Sequence, residues 1–290
     1  MSRVLVTGAT GLLGRSLIPV LRAAGHQVLG QGRQQQADLQ ADLCDASQTL
    51  ALLQEARPEV VINLAALTNV DRCESHPDEA YRANVLAVQH LTRAMQQLGQ
   101  SGHLVQISTD QVYDGQGAQA EDQVVVRNSY AMSKVAAELA AAAVPSTVLR
   151  TNFFGRSAAP GRASFSDWLH GALVQAQPIQ VFDDIWFSPL AITTLAACIE
   201  QAVRLRPLGT FNLGSRGGLS KADFAFLLAQ HLGLPTTAMH RCSAQVMAAQ
   251  RAARPKDMRM DSSRFEQRLG IALPLLADQI ALVAQDYRHG

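Results

Sequence analysis

Tyr130 and Lys134 lie four apart in a stretch, 129–143, whose pattern predicts a helix, so both side chains fall on one face. A phenol is a proton donor, but its ordinary pKa of about 10 is too high for efficient exchange at neutral pH. A neighbouring ammonium favours the phenolate and lowers that value. The chain has only three lysines, at 134, 221 and 256, and four tyrosines, so abundance does not explain the pairing. Thr109, in Ile107-Ser108-Thr109-Asp110, stands at the C-terminal end of an apolar run and can bond an oxygen beside Tyr130. Together these three groups make a small proton-donating site suited to reducing a carbonyl.

A reduction needs a hydride source, and the N-terminus supplies a candidate holder. Val4-Leu5-Val6-Thr7-Gly8 reads as a strand entering a turn, and Gly8, Gly11 and Gly14 then open a helix over 13–24. Glycine at that spacing lets the backbone turn tightly and approach a pyrophosphate, while the helix start offers unpaired N–H groups to it. The loop is therefore read as a dinucleotide site. An acid closing the second strand would bond the adenosine ribose of NAD, but Gly30-Gln31-Gly32-Arg33 stands there instead. Arg33, with Arg15 as a second candidate, suits the 2′-phosphate of NADP, with NAD kept as the alternative. Asp42 and Leu43 fall where a loop would meet the adenine, and Asn63-Leu64-Ala65-Ala66 ends the next strand at the same crevice.

These residues need a scaffold, and the first half supplies a regular one. Strands are expected over 3–7, 27–29, 60–63, 103–108 and 147–150, with helices over 13–24, 47–55, 78–98 and 129–143. Strands alternating with helices pair in parallel through right-handed crossovers. Val60-Val61-Ile62 and Leu104-Val105-Gln106-Ile107 do not alternate, as befits strands covered on both faces. Pro19 in the first helix is expected to remove one hydrogen bond and add a mild kink. After a Gly/Pro/Ser/Arg loop at 155–162 the texture changes. Helices are expected over 165–175, 221–232 and 262–269, and short strands over 180–182 and 210–213. The expected fold class is α/β: a Rossmann-type doubly wound parallel sheet over 1–155, with a smaller α+β substrate lobe over 156–290. A helix over 191–203 is a candidate to return to the first domain.

Bulk properties remove several classes. The 290 residues carry a formal net charge of +1, so nothing draws the chain to nucleic acid or an anionic membrane. No apolar run is long enough to span a bilayer, and no secretory leader is read at the start, so a cytoplasmic location is expected. Cys44, Cys73, Cys198 and Cys242 are widely spaced, and the histidines stand in no ligand spacing, so neither a disulfide framework nor a metal site is expected.

The order Gly8-x-x-Gly11-x-x-Gly14, Asn63-x-Ala-Ala, Ser108-Thr109-Asp110 and Tyr130-x-x-x-Lys134 resembles the extended short-chain dehydrogenase/reductase family, most closely its dTDP-4-dehydrorhamnose reductase-like branch. Thr68-Asn69-Val70-Asp71-Arg72-Cys73-Glu74-Ser75, Gln111-Val112-Tyr113-Asp114-Gly115, Leu149-Arg150-Thr151, Arg254-Pro255 and Asp261-Ser262-Ser263 extend the likeness along nearly the whole chain. The resemblance implies Tyr130 as proton donor, Lys134 as its partner and Thr109 on the substrate oxygen. It also implies Gly11, Leu12 and Leu13 around the pyrophosphate, with Asp42, Leu43, Ala65 and Ala66 lining the cofactor. Asp110, Phe153 and Arg254 are implied on the substrate side. The substrate it points to is a nucleotide-linked 4-keto-6-deoxy sugar, as in dTDP-rhamnose and polysaccharide biosynthesis, and a homodimer is a further expectation.

Departures cluster on that substrate side. Phe153 stands where the branch usually has tryptophan, Gln111 where it has an aromatic residue, and 184–190 keeps only part of the usual segment. Family dehydratases carry an acid after Asp110, and Gln111 argues against that chemistry. An epimerase of the same fold remains an alternative, as does a non-catalytic NADP-binding subunit resembling methionine adenosyltransferase β. Arg162, Arg216, Arg251, Arg254 and Arg259 are candidate cations for a nucleotide diphosphate, with Arg254 preferred. Trp168 and Trp186 are read as packing residues before base-stacking ones, and Asn84 as a stabiliser of the central helix.

Overall fold

A computed structural model of the chain describes residues 1–33, 36–99, 102–245 and 252–288. It divides into two compact units. The first is Met1–Thr109 with Asn128–Arg150 and Ala196–Phe211; the second is Asp110–Arg127 with Thr151–Leu195 and Asn212–Gly290. From Ala196 the helix expected over 191–203 groups with the first unit, while its first residues group with the second. Asp110–Arg127, expected in the first domain, groups with the second, because the chain leaves the sheet directly after Thr109.

In the first unit the strands are β1 (Arg3–Thr7), β2 (Gln27–Gly32), β3 (Leu39–Gln40), β4 (Val60–Asn63), β5 (His103–Thr109), β6 (Ser146–Thr151) and, after an excursion through the second unit, β11 (Gly209–Leu213). They form one seven-stranded sheet in the order β11-β6-β5-β4-β1-β2-β3. Pairing is parallel, with Val4 opposite both Val28 and Val60, and Val60 opposite His103. The strand order reverses between β1 and β4, the topological switch at which doubly wound sheets keep a ligand beyond their C-terminal ends. All four residues of β4 and all seven of β5 are buried, as their lack of alternation leads one to expect.

The helices of this unit are α1 (Leu12–Ala23), α2 (Ala46–Ala56), α3 (Val70–Ser75), α4 (Pro77–Ala80), α5 (Ala87–Gln97), α6 (Ser129–Ala141) and α8 (Ile192–Leu205). Helix α1 buries Leu13, Gly14, Leu17 and Leu21 and runs past Pro19, which lies on its exposed face. Helix α6 packs on the sheet with Ala137 and Ala141, alongside Leu91 of α5 and Leu104 of β5. The helix expected over 78–98 runs unbroken from Pro77 to Gln97, with a π-helical turn at Tyr81–Leu86 joining α4 to α5. At that turn the Asn84 side chain reaches Leu67, its Oδ1 accepting from Leu67 N (2.7 Å) and its Nδ2 donating to Leu67 O (3.0 Å).

The second unit is built from short pieces. Strand β7 (Phe153–Phe154) pairs with β10 (Leu190–Ala191), and β8 (Ile179–Phe182) with β13 (Met239–Cys242). Strand β9 (Trp186–Phe187) lies between β12 (Leu219–Ser220) and β14 (Asp257–Met258). Helices α7 (Phe165–Val174), α9 (Lys221–Leu232), α10 (Ser263–Leu269) and α11 (Leu276–Arg288) complete it. Its mainly aliphatic core holds an aromatic cluster: the Phe224 ring centroid lies 4.8 Å from that of Phe154 and 5.3 Å from that of Phe187. Helix α11 escapes the sequence reading. Its buried face is Leu276, Gln279, Ile280, Val283 and Ala284, and the polar Gln279 within it, which accepts a bond from Ala191 N, masks the pattern.

Candidate active site

Strand β1 delivers the chain into the glycine turn, and backbone proximity accounts for each glycine. Gly8 has φ +65°, and a Cβ there would lie 2.9 Å from Ala65 N. A Cβ on Gly14 would lie 2.5 Å from the Ala9 carbonyl oxygen, and one on Gly11 3.0 Å from that of Gly8. Gly11 caps α1 with no side-chain hydrogen bond, so the N–H groups at the start of the helix, including those of Leu12, Leu13 and Gly14, have no intrahelical acceptor. A turn closed to side chains and a helix start without a protein cap are the donor set that a dinucleotide diphosphate takes.

Beside this turn the sheet edge is wired by buried amides. Thr7 Oγ1 donates to Asn63 Oδ1, which also accepts from Ala65 N (3.3 Å). Asn63 Nδ2 donates to Gln106 Oε1 (2.9 Å), and Gln106 Nε2 to the Ile107 carbonyl (3.0 Å). The bonds fix Asn63-Leu64-Ala65-Ala66 where β4 ends, and leave Ala65 and Ala66 half-buried. Leu43 is buried and its carbonyl accepts from His90 Nδ1 (2.9 Å), while Asp42 is exposed and accepts from Cys44 N.

Arg33 is exposed one residue past β2, and Gln40 Nε2 donates to its carbonyl (2.9 Å). An acid does lie close in sequence, namely Asp38. Its Oδ2 accepts from Gly30 N (2.8 Å) and from Arg22 (3.3 Å), which ties it to the flank of β2. Nε of Arg15 is buried with no hydrogen-bond partner among the described residues.

The Tyr130–Lys134 pair is carried on α6. Asn128 caps the helix by accepting from Ala131 N (2.8 Å), and Tyr130 and Lys134 follow on its inner face, 7 % and 4 % exposed. Lys134 Nζ donates to the Ile107 carbonyl at 2.7 Å, which sets the ammonium two residues before Thr109 at the buried end of β5. Burial pushes the Lys134 pKa down to about 8, against the pull of the Glu138 carboxylate. Ser133, between the pair, donates to the Tyr130 carbonyl (2.7 Å) and accepts from Asn84 Nδ2 (2.8 Å). Asn84 thus ties α6 to the loop after β4, a wider part than the helix-stabilising one expected of it.

The sequence reading passed over Glu138, Arg150 and Gln106. Each had a signal: Glu138 is one helical turn past Lys134, and Arg150 and Gln106 are polar groups inside buried strands, which must find partners.

In the second unit Asp110 is 1 % exposed, in a single 3-10 turn at Asp110–Val112, and accepts from Asn152 Nδ2 at 2.6 Å. Phe153 is half-buried on β7. A cleft of about 210 Å³ is lined by Gln111, Ile185, Lys221, Arg254, Lys256 and Met258, so it gathers two of the three lysines and the preferred arginine. The other arginines are engaged or distant from it: Arg216 bonds Glu266 (2.8 Å), and Arg259 bonds Asp257 (2.9 Å) while covering the Trp186 ring (4.7 Å). Arg162 is exposed, and Arg251 lies outside the described residues. Trp168 is 47 % exposed and stacks on Phe165, so it is a rim residue instead of a core one.

Among the described residues no group of three or more His, Cys, Asp or Glu could hold a metal ion, and no helix is long and apolar enough to cross a membrane. All four cysteines are free, and burial pushes their thiols up, Cys198 to about 11.

The family model of the RmlD substrate binding domain matches residues 2–289. The chain belongs to that family. Within the RmlD-like relatives, a probable low-salt glycan biosynthesis reductase, Agl14 of Haloferax volcanii, is 30% identical over 95% of this chain and 95% of its own. The crystal structure of dTDP-4-dehydrorhamnose reductase from Bacillus anthracis in complex with NADP has a TM-score of 0.88 and 25% identity, over 98% of this chain and 99% of that one. Methionine adenosyltransferase 2 subunit beta of Bos taurus is 28% identical over 93% of this chain and 83% of the relative.

Proposed function

We propose that the protein is an NADPH-dependent oxidoreductase that reduces a nucleotide-linked 4-keto-6-deoxy sugar, with NAD as a second possible cofactor. The observation that carries this reading is the burial of Tyr130 and Lys134 on one face of α6, with Lys134 fixed to β5 beside Thr109, in the unit that holds the glycine turn. When bound, the nicotinamide supplies a hydride to the keto carbon. Tyr130 donates a proton to the carbonyl oxygen, and the Thr109 hydroxyl bonds the same oxygen. The ammonium of Lys134 lowers the cost of leaving Tyr130 as phenolate, so the proton moves at neutral pH. Gly8, Gly11, Leu12, Leu13 and Gly14 hold the diphosphate through backbone N–H groups, and Arg33 takes the 2′-phosphate. Asp42, Leu43, Ala65 and Ala66 line the adenine and ribose side.

On the second unit, Asp110 and Phe153 meet the sugar, and Arg254 the nucleotide diphosphate. The three cations of the cleft, Lys221, Arg254 and Lys256, support an anionic nucleotide as the carrier group. Such a product serves polysaccharide assembly, for which a soluble reductase, alone or as a homodimer, suffices without nucleic acid or membrane partners.

A second reading has one observation in its favour, the likeness to methionine adenosyltransferase 2 subunit beta: a cofactor-holding subunit without turnover. The deciding experiment is to load the protein with NADPH and follow its oxidation across nucleotide-linked 4-keto sugars, identifying each product. Consumption of NADPH with formation of the corresponding 4-hydroxy sugar supports the reductase. Isomerised product with NADPH unconsumed supports an epimerase, and tight NADPH binding with no turnover on any sugar supports the regulatory subunit.

A further inference from the structure

Glu138 has no place in the proton transfer just described, yet it is one of the most fully bonded ionised groups in the first unit. Its Oε1 accepts from Ser108 Oγ and from Arg150 Nε (2.9 Å), and its Oε2 from Arg150 Nη2 (2.7 Å). Both partners of the ion pair are 7 % exposed at the side chain, so water screens it little. The anchoring follows a register. Lys134 and Glu138 are one turn apart on the buried face of α6, and they engage consecutive residues of β5, Ile107 and Ser108. Arg150 grips the carboxylate from β6 with a two-pronged fork, so three elements meet at Glu138.

A buried ammonium bonded to one neutral carbonyl sheds its proton readily unless an anion stands near it. The charged groups on the elements packed against α6 are few. Asp71, Arg72 and Glu74 of α3, Asp78 and Glu79 of α4, Arg82 of the π-helical turn and Arg93 of α5 are exposed or half-exposed. The buried imidazoles of α5 and β5 face other partners, His90 the Leu43 carbonyl and His103 the Thr147 hydroxyl. Glu138 and its partner Arg150 are the buried ions that remain.

We propose that Glu138 is a positioning residue for Lys134: its carboxylate, braced by Arg150 and Ser108, keeps Lys134 an ammonium and holds α6 in register with the end of β5. The inference rests on the reading of Lys134 as the partner of Tyr130, but its test needs neither sugar nor cofactor. The direction agrees with the effect of Glu138 on Lys134, which opposes the lowering by burial.

The whole chain, labelled at the lysine ε position, gives three lysine NMR signals, and Lys134→Met assigns the buried one. Its titration midpoint is then read directly. In Glu138→Gln the midpoint falls by about one pH unit or more, because the anion is lost and the Arg150 charge is left uncompensated. Since that variant leaves a buried guanidinium unpaired and can unfold, Glu138→Gln with Arg150→Met removes both ions at once. There the midpoint also falls, by less, while Glu138→Asp keeps it close to wild type. A Lys134 midpoint at the wild-type value in folded Glu138→Gln, or in the double variant, overturns the proposal whatever happens to melting temperature. Absence of sugar turnover would count against the reductase reading and leave this measurement standing.

Discussion

In the first unit the candidate residues are fixed by the backbone and by buried polar bonds: Lys134 by the Ile107 carbonyl, Ala65 by Asn63, Leu43 by His90. In the second unit Arg254 lines a cleft, where it stands with Lys256 and with Lys221 at the start of α9, among Gln111, Ile185 and Met258. The difference teaches which part of a reductase can drift. A glycine turn and a buried Tyr–Lys pair work in one geometry only, and small errors there are costly. A cleft lined by residues from several short elements can take Gln111 where the family branch has an aromatic residue and still carry Lys221, Arg254 and Lys256.

Tyr130→Phe probes the first unit hardest. It is expected to lower the rate of keto-sugar reduction by about 100-fold or more while NADPH binding, measured by fluorescence titration, stays unchanged. A variant that still reduces at the wild-type rate rules Tyr130 out as the donor. Gly14→Ala comes next, because its Cβ would meet the Ala9 carbonyl oxygen at 2.5 Å, and backbone cannot yield as a side chain can. Expected are a loss of stability of about 1–3 kcal/mol in denaturant titration and a marked weakening of NADPH binding.

The two arginines sharpen the comparison reciprocally. Arg254→Ala should raise KM for the nucleotide sugar about ten-fold and leave the Kd of NADPH alone. Arg33→Ala should weaken NADPH about ten-fold and leave NADH and KM alone. If either variant moves both constants together, the roles are not divided between the units as described.

The smallest effect concerns stability alone. His103 is buried against Thr147 (2.7 Å), and burial pushes its pKa down to about 4. The unfolded chain takes up that proton first, near the ordinary value of about 6.5, so stability is full above that pH and is lost as pH falls toward about 4. The loss is about 1.4 kcal/mol per pH unit at its steepest. His103→Gln should flatten this part of a pH–stability curve measured in urea, and an unchanged slope would assign it to other groups.

Much of the first unit was legible because its signals are local. Runs without alternation named β4 and β5, and a glycine spacing between a strand and a helix named the turn into α1. The four-residue interval between Tyr130 and Lys134 named the face of α6. The second unit was less legible, since strands of two residues such as β7, β9 and β14 carry no period to read, and α11 hides a buried Gln279 in its apolar stripe. The π-helical turn at Tyr81–Leu86 was invisible for a related reason: the partner of its Asn84 side chain is Leu67, seventeen residues upstream.

By itself, then, the sequence determined the βα alternation, the glycine turn into α1 and the shared face of Tyr130 and Lys134, because each depends on neighbours within one strand, turn or helical repeat. Only the tertiary structure decided what surrounds Lys134. The Ile107 carbonyl, the Glu138 carboxylate and the Arg150 guanidinium come from three elements, and their effect on a charge depends on distance and on the exclusion of water, neither of which is written along the chain. The structure also decided that Asp38 bonds the flank of β2, and that Trp186 lies beneath Arg259.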